Sequence, residues 1–93
     1  VGYADGYSRG LSGKGQMLLN GRRVPILGRV CMQMTMVDVG ECPEAKAGDR
    51  AYILGGGENG VSANELAGWW GTIDYEVFCV LGLNPLYGWS AAP

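Results

Sequence analysis

The chain has 93 residues, 47% apolar and 17% charged, with 17 glycines, 4 prolines, no histidine and a formal net charge of −2. That length holds one domain with a modest core and excludes a large enzyme carrying its own deep cleft. The 7 Lys and Arg against 9 Asp and Glu form no basic cluster, which argues against nucleic acid as a partner, and no apolar run approaches the ~20 residues of a membrane span, so a soluble domain is expected.

The opening Val1-Gly2-Tyr3 has no initiator methionine and starts in mid-pattern, so a fragment of something longer is expected. Gly10-Leu11-Ser12-Gly13-Lys14-Gly15 reads as a loop, because ordering glycine costs the most backbone entropy. Met17-Leu18-Leu19 and Arg22-Arg23-Val24 flank Asn20-Gly21, a dipeptide that tolerates positive φ at both centres of a type I′ turn; a β-hairpin follows. Pro25 removes a ladder donor, which places the second strand at an edge or bends it into Ile26-Leu27-Gly28.

From Val30 to Val39 the sequence alternates, with Val30, Met32, Met34 and Met36 on one parity and Cys31, Gln33, Thr35, Val37 and Val39 on the other. A strand partly covered on both faces fits that pattern. Pro43 and Gly48 bracket a surface loop, and Arg50-Ala51-Tyr52-Ile53-Leu54 reads as the next strand. Ser62 followed by Glu65 is a capping box, so a short helix starts there and ends near Gly68 or Gly71. Tyr75-Glu76-Val77-Phe78-Cys79-Val80-Leu81 reads as a last strand. The expected fold class is all-β: one domain over residues 1–93, five or six short strands and one short helix, closed or partly open as a small β-barrel.

The loop Gly55-x-Gly57-x-x-Gly60 matches the dinucleotide fingerprint between a strand and a helix. It is set aside, because no parallel strand ending in an acidic residue follows and Glu58 would oppose a pyrophosphate. Absence of histidine excludes Ser-His-Asp and Cys-His pairs within the chain, and leaves no common metal-ligand set; no metal is expected. Cys31, Cys42 and Cys79 are odd in number and lack C-x-x-C spacing, which points to reduced thiols and a cytoplasmic setting. Cys31 and Cys79 sit in apolar runs and are expected to be buried and inert. A tyrosine and arginine set remains: Tyr3, Tyr7, Arg9, Arg29, Tyr75 and Tyr87. Phenols and guanidiniums bind carboxylates and phosphates, although a single tyrosine in a small β domain is more often a core ring with its hydroxyl at the rim.

The order of three blocks changes that weighing: residues 1–9 (Val1-Gly2-Tyr3-Ala4-Asp5-Gly6-Tyr7-Ser8-Arg9), Asn20-Gly21 through Pro25-Ile26-Leu27-Gly28-Arg29-Val30-Cys31-Met32, and Gly71-Thr72-Ile73-Asp74-Tyr75-Glu76-Val77. Together they resemble the C-terminal β domain of alanine racemases, the pyridoxal-phosphate enzymes that interconvert L- and D-alanine. The resemblance implies an N-terminal α/β barrel that precedes this domain and binds most of the cofactor, and a homodimer in which each β domain completes the partner's active site.

By the same resemblance, Tyr3 is the tyrosine of a narrow substrate gate, and Arg9 and Arg29 line the approach. Met32 offers its backbone N–H to the substrate carboxylate. Tyr75 donates to the cofactor phosphate and faces Tyr3. The catalytic lysine and tyrosine bases belong upstream of Val1, and Lys14 and Lys46 match neither, so the isolated chain is expected neither to bind pyridoxal phosphate stably nor to racemise alanine. Two departures stand out. Gln33 replaces an aspartate found in many members, which weakens the acidic side of the gate. Leu83-Asn84-Pro85-Leu86-Tyr87 replaces an Arg-x-Pro-Arg run. A serine racemase domain, and a non-enzymatic β-barrel binding or assembly module docking through Leu86, Tyr87 and Trp89, are the alternative readings.

Overall fold

Asn20 and Gly21 turn the chain with positive φ at both positions, 51° and 78°, as their sequence anticipates. They join β1 (Gln16–Leu19) to β2 (Arg22–Leu27), with Met17 opposite Val24 and Leu18 opposite Arg23. β3 (Met36–Val37) pairs with β2 and β4 (Ala51–Tyr52) with β1, giving an antiparallel sheet in the order β3-β2-β1-β4. The computed structural model describes residues 1–82; the apolar tail with Leu86, Tyr87 and Trp89 lies outside the described residues.

β2 is an interior strand, so Pro25 does not mark an edge of the sheet. The Pro25 carbonyl accepts from the Asp38 N–H at 2.9 Å, while the Ile26 N–H donates the other way to Gly15 at 3.0 Å. The donorless proline nitrogen therefore faces the side on which the ladder to β3 stops, and no bond is lost. Residues 30–39 form only the two-residue β3 where one long strand is expected. The carbonyls of Cys31 and Met32 are taken by the N-terminal segment instead, through Tyr3 and Ala4 N–H groups at 2.9 Å each.

Ser62 starts α1 (Ala63–Trp70) by the expected capping box: its hydroxyl accepts from the Glu65 N–H at 3.1 Å and its own N–H donates to Glu65 Oε1 at 3.2 Å. The helix ends at Gly71, whose φ of 92° lets its N–H return to the Ala67 carbonyl. The segment read as a last strand is a second helix, α2 (Asp74–Gly82). Asp74 and Glu76 complement the helix dipole in its first turn. Val77 and Leu81, four residues apart, both turn into the core, whereas strand alternation would also have buried Cys79, which is exposed. The all-β expectation is corrected accordingly: over the described residues the fold is a curled antiparallel half-barrel with two α-helices.

Met17 and Leu19 join Val24 and Ile26 on the inner sheet face, where they meet Leu66 and Ala67 of α1 and Val77 and Leu81 of α2. Tyr7 and Leu11 close this core from the N-terminal side, Leu11 on a 3-10 turn (Arg9–Leu11) within the run expected to be loop. Leu18 is buried on the opposite face, cross-strand from Arg23 and Tyr52.

Arg23 spends all its guanidinium nitrogens on neighbouring elements. Its Nε donates to the Asn59 carbonyl at 2.6 Å and its Nη2 to the Gly60 carbonyl at 3.0 Å. Nη1 donates to Gln16 at 3.0 Å, and both Nη atoms grip the Glu65 carboxylate at 2.9 and 3.1 Å. That bonding, first from Arg23 and then from the Ser62 backbone, holds the Glu65 carboxyl below its ordinary value of 4.5. The glycine loop closes on itself through Gly55 N–H to Val61 and Gly60 N–H to Gly57. Two of its donors, at the two ends of the fingerprint, are thus engaged internally, and the pattern serves the strand-to-helix connection.

The cysteine expectation inverts: Cys31 and Cys79 are exposed and Cys42 is buried. Burial, then the Glu44 carboxylate 3.4 Å away, pushes the Cys42 thiol above its ordinary value. Cys31 is tied to the N-terminal segment by its own carbonyl, which accepts from Tyr3, and its side chain stays outward.

Two outcomes follow from this arrangement. Arg23→Ala lowers the unfolding free energy by about 1–3 kcal/mol, the worth of hydrogen bonds to a charged group. Because the Glu65 pKa is depressed on folding, its contribution is fully present above pH 4.5 and is lost as pH falls through the lower folded value. Urea midpoints at neutral and acidic pH therefore differ less in Arg23→Ala than in the parent chain. In native alkylation followed by peptide mass mapping, Cys31 and Cys79 react quickly and Cys42 only after unfolding; early labelling of Cys42 would contradict its burial.

Candidate functional site

The first four residues lie against residues 31–35 without forming a regular strand pair. Besides the Tyr3 to Cys31 and Ala4 to Met32 bonds, the Thr35 hydroxyl donates to the Val1 carbonyl at 2.6 Å. A tight 3-10 turn (Tyr3–Asp5) follows, in which the Gly2 N–H donates to Asp5 Oδ2 at 3.1 Å and the Gly2 carbonyl accepts from Asp5 and Tyr7. Gly6, with φ of 93°, ends that turn.

Tyr3 is thereby held by its backbone while the residue stays 40% exposed. The Arg9 guanidinium carbon sits over that ring, 5.6 Å from its centroid, in cation–π range. Met32 is adjacent through the Ala4 bond and is itself 56% exposed. Three of the expected site residues, Tyr3, Arg9 and Met32, are thus brought together by main-chain bonds and one ring contact. Arg29 is exposed on the same segment as Met32, between Gly28, with φ of 65°, and Val30, whose N–H is fixed by the Ser12 hydroxyl at 2.9 Å.

Tyr75 occupies the first turn of α2 and is 73% exposed as a residue, and its N–H donates to the Asp74 carboxylate. The turn carrying Tyr3 touches the same helix further along: a Cβ at Gly6 would lie 3.1 Å from Val80 Cγ1. Tyr75 precedes Val80 by five residues, about 7.5 Å along the axis. Nothing in these contacts makes the two phenols face one another.

Gly2 and Thr35 are the residues that sequence reasoning missed here. A glycine between Val1 and Tyr3 was the available signal for a close backbone approach, but its partner is distant in sequence.

Among the described residues no three Cys, Asp or Glu side chains are grouped to hold a metal ion, and no helix is long and apolar enough to cross a membrane. A cleft bordered by Gly21, Arg22, Arg23, Glu41, Glu58 and Asn59 shares no residue with the Tyr3 cluster.

The description "Alanine racemase, C-terminal domain" fits residues 1–85. An alanine racemase of Nitratidesulfovibrio vulgaris (strain Miyazaki F) is 67% identical over 85 residues, covering 91% of this chain and 23% of that protein. One of Lawsonia intracellularis is 53% identical over 84 residues. In three dimensions the chain resembles the alanine racemase of a D-cycloserine-producing Streptomyces lavendulae, with a TM-score of 0.80, 40% identity and coverage of 89% of this chain and 22% of that one. It also resembles that of Bartonella henselae with covalently bound pyridoxal phosphate, with a TM-score of 0.78 and 30% identity, covering 87% of this chain and 23% of that one. The chain therefore spans under a quarter of the length of these relatives. Over that span, the chain belongs to the family of alanine racemase C-terminal domains.

Proposed function

We propose that this domain completes the active site of a pyridoxal-phosphate-dependent alanine racemase, with Tyr3, Arg9, Arg29 and Met32 forming the substrate gate and Tyr75 contacting the cofactor phosphate. The observation that carries the reading is the fixing of Tyr3 beside Met32, with Arg9 on its ring, by bonds that leave all three side chains outward. A phenol held by its backbone has little freedom left to lose, so it can narrow an entrance and discriminate by size. Arg9 and Arg29 put positive charge on the approach of an amino-acid carboxylate.

The donor set of this chain suits one edge of the cofactor. Tyr75 offers a neutral hydroxyl donor that reaches a phosphate without bringing a charge of its own. Lys14 is exposed in the glycine-rich run and Lys46 in the 43–48 loop, and neither belongs to the Tyr3 cluster. When bound, pyridoxal phosphate supplies the electron sink that makes the substrate Cα–H acidic. Both proton-transferring bases and most cofactor contacts then come from an N-terminal barrel, with the gate completed across a homodimer in the cytoplasm.

Exposed apolar side chains support such a neighbour. Met34 and Met36 on one segment and Ile73 and Phe78 around α2 are each more than half exposed, as the covered faces of an assembly are before their partner is in place. A non-enzymatic docking module would share that apolar face, and the racemase reading is preferred for the gate geometry that such a module has no need of. Serine is the nearest alternative substrate.

In the full-length polypeptide, Tyr75→Phe weakens cofactor retention by roughly 0.5–1.5 kcal/mol, about two- to tenfold in Kd, the worth of one neutral hydrogen bond. An unchanged Kd in a dialysis titration removes Tyr75 from the phosphate site. Tyr3→Ala raises kcat/KM for larger amino acids relative to alanine; an unaltered substrate range reduces Tyr3 to packing. The isolated 93-residue chain shows no stable cofactor absorbance on mixing with pyridoxal phosphate and no racemisation of alanine followed by chiral chromatography.

A further inference from the structure

The contact between residues 1–4 and 31–35 depends on two residues that carry no reactive group. Gly2 is buried, and its φ of −150° and ψ of −169° are extended values open to any residue. Space, not conformation, demands glycine there. A Cβ at this position would lie 2.5 Å from the Met32 carbonyl oxygen and closer still to that of Cys31. Those carbonyls are backbone, each already bonded to Tyr3 or Ala4, so they cannot yield as a flexible side chain would. Thr35 closes the other end of the contact, its hydroxyl on the Val1 carbonyl at 2.6 Å. Between these two points the chain has no freedom to slide, and the offset from Tyr3 to Met32 is set.

We propose that Gly2 and Thr35 are positioning residues that fix the aperture between Tyr3 and Met32 and thereby set the size limit on the amino acid admitted; the inference rests on the gate reading above. Gly2 brings the two backbones to contact distance, and Thr35 prevents the start of the chain from lifting away. Neither touches the substrate. The aperture is determined at the main chain, so side-chain changes at Gln33 or Met34, which project outward, leave it in place.

The test uses the full-length polypeptide, with alanine and valine as substrates. Thr35→Val removes the hydroxyl at nearly constant shape and raises the ratio of kcat/KM for valine over alanine by about two- to tenfold, as the loss of one hydrogen bond allows. Thr35→Ser restores the hydroxyl and the parent ratio. Gly2→Ala forces the backbones apart and lowers kcat/KM for alanine by about a hundredfold, the cost of a misplacement on the order of 1 Å. Since Gly2→Ala risks loss of folding, Thr35→Val is the deciding variant. In it the Tyr3 and Ala4 amides, read by hydrogen exchange, lose protection. An unchanged valine-to-alanine ratio, an equal fall for both substrates, a failure of Thr35→Ser to restore the ratio, or unchanged amide protection overturns the inference while leaving the racemase reading intact. A parent polypeptide that does not racemise alanine overturns both.

Discussion

The structure depends on one guanidinium. Two of the four strands are two residues long, too short to hold a sheet by ladder bonds, so the elements must be tied by something other than strand pairing. Arg23 does this from β2: it reaches β1 through Gln16, the glycine loop through Asn59 and Gly60, and α1 through Glu65. A planar fork of donors suits the task, because a lysine at the same position could satisfy only part of the set. Glu65 in turn also caps the helix that it anchors, so the start of α1 and its distance from the sheet are fixed by the same carboxylate.

From that frame the site is reached by the main chain. α1 and α2 cover the inner face of the half-barrel, and the segment before the sheet is laid over the core by Tyr7 and Leu11. What remains in front of Tyr7 is held against residues 31–35 by backbone bonds and the Thr35 hydroxyl. This division suits a domain whose outward residues meet a substrate or another surface. Its rigid part is made almost wholly of carbonyls and amides, which do not vary with sequence, and the side chains that project from it are free to be selected for chemistry.

The exposed surface fits the family's place in a longer protein. Met32, Met34 and Met36 share one parity of a stretch in which the strand reading partly covers both faces, yet all three lie outward, Met36 at 69% exposure. Thioethers are adaptable contacts and fit surfaces that are covered by another body. The chain's relatives are more than four times the span they share with it.

On its own, the sequence determined the local features: the Asn20-Gly21 hairpin, the Ser62 and Glu65 capping box, a helix stop near Gly68 or Gly71, and the blocks around Tyr3, Met32 and Tyr75 that carry the family resemblance. Each structural one is a short-range signal in which a residue's own φ preference or a neighbour three or four positions away decides the outcome. Only the tertiary structure decided the rest. Residues 75–81 are rich in apolar, aromatic and β-branched side chains and read as strand, but burial of Val77 and Leu81 against the core makes them part of α2. Pro25 lies inside the sheet because β3 ends where its missing donor would be needed. Cys42 is the buried thiol although Cys31 and Cys79 have the more apolar neighbours in sequence. The pairing of Gly2 with Cys31 and Met32 joins positions far apart along the chain. In each case the deciding partner is distant in sequence, and no local pattern encodes a contact whose free energy is realised only when the core assembles.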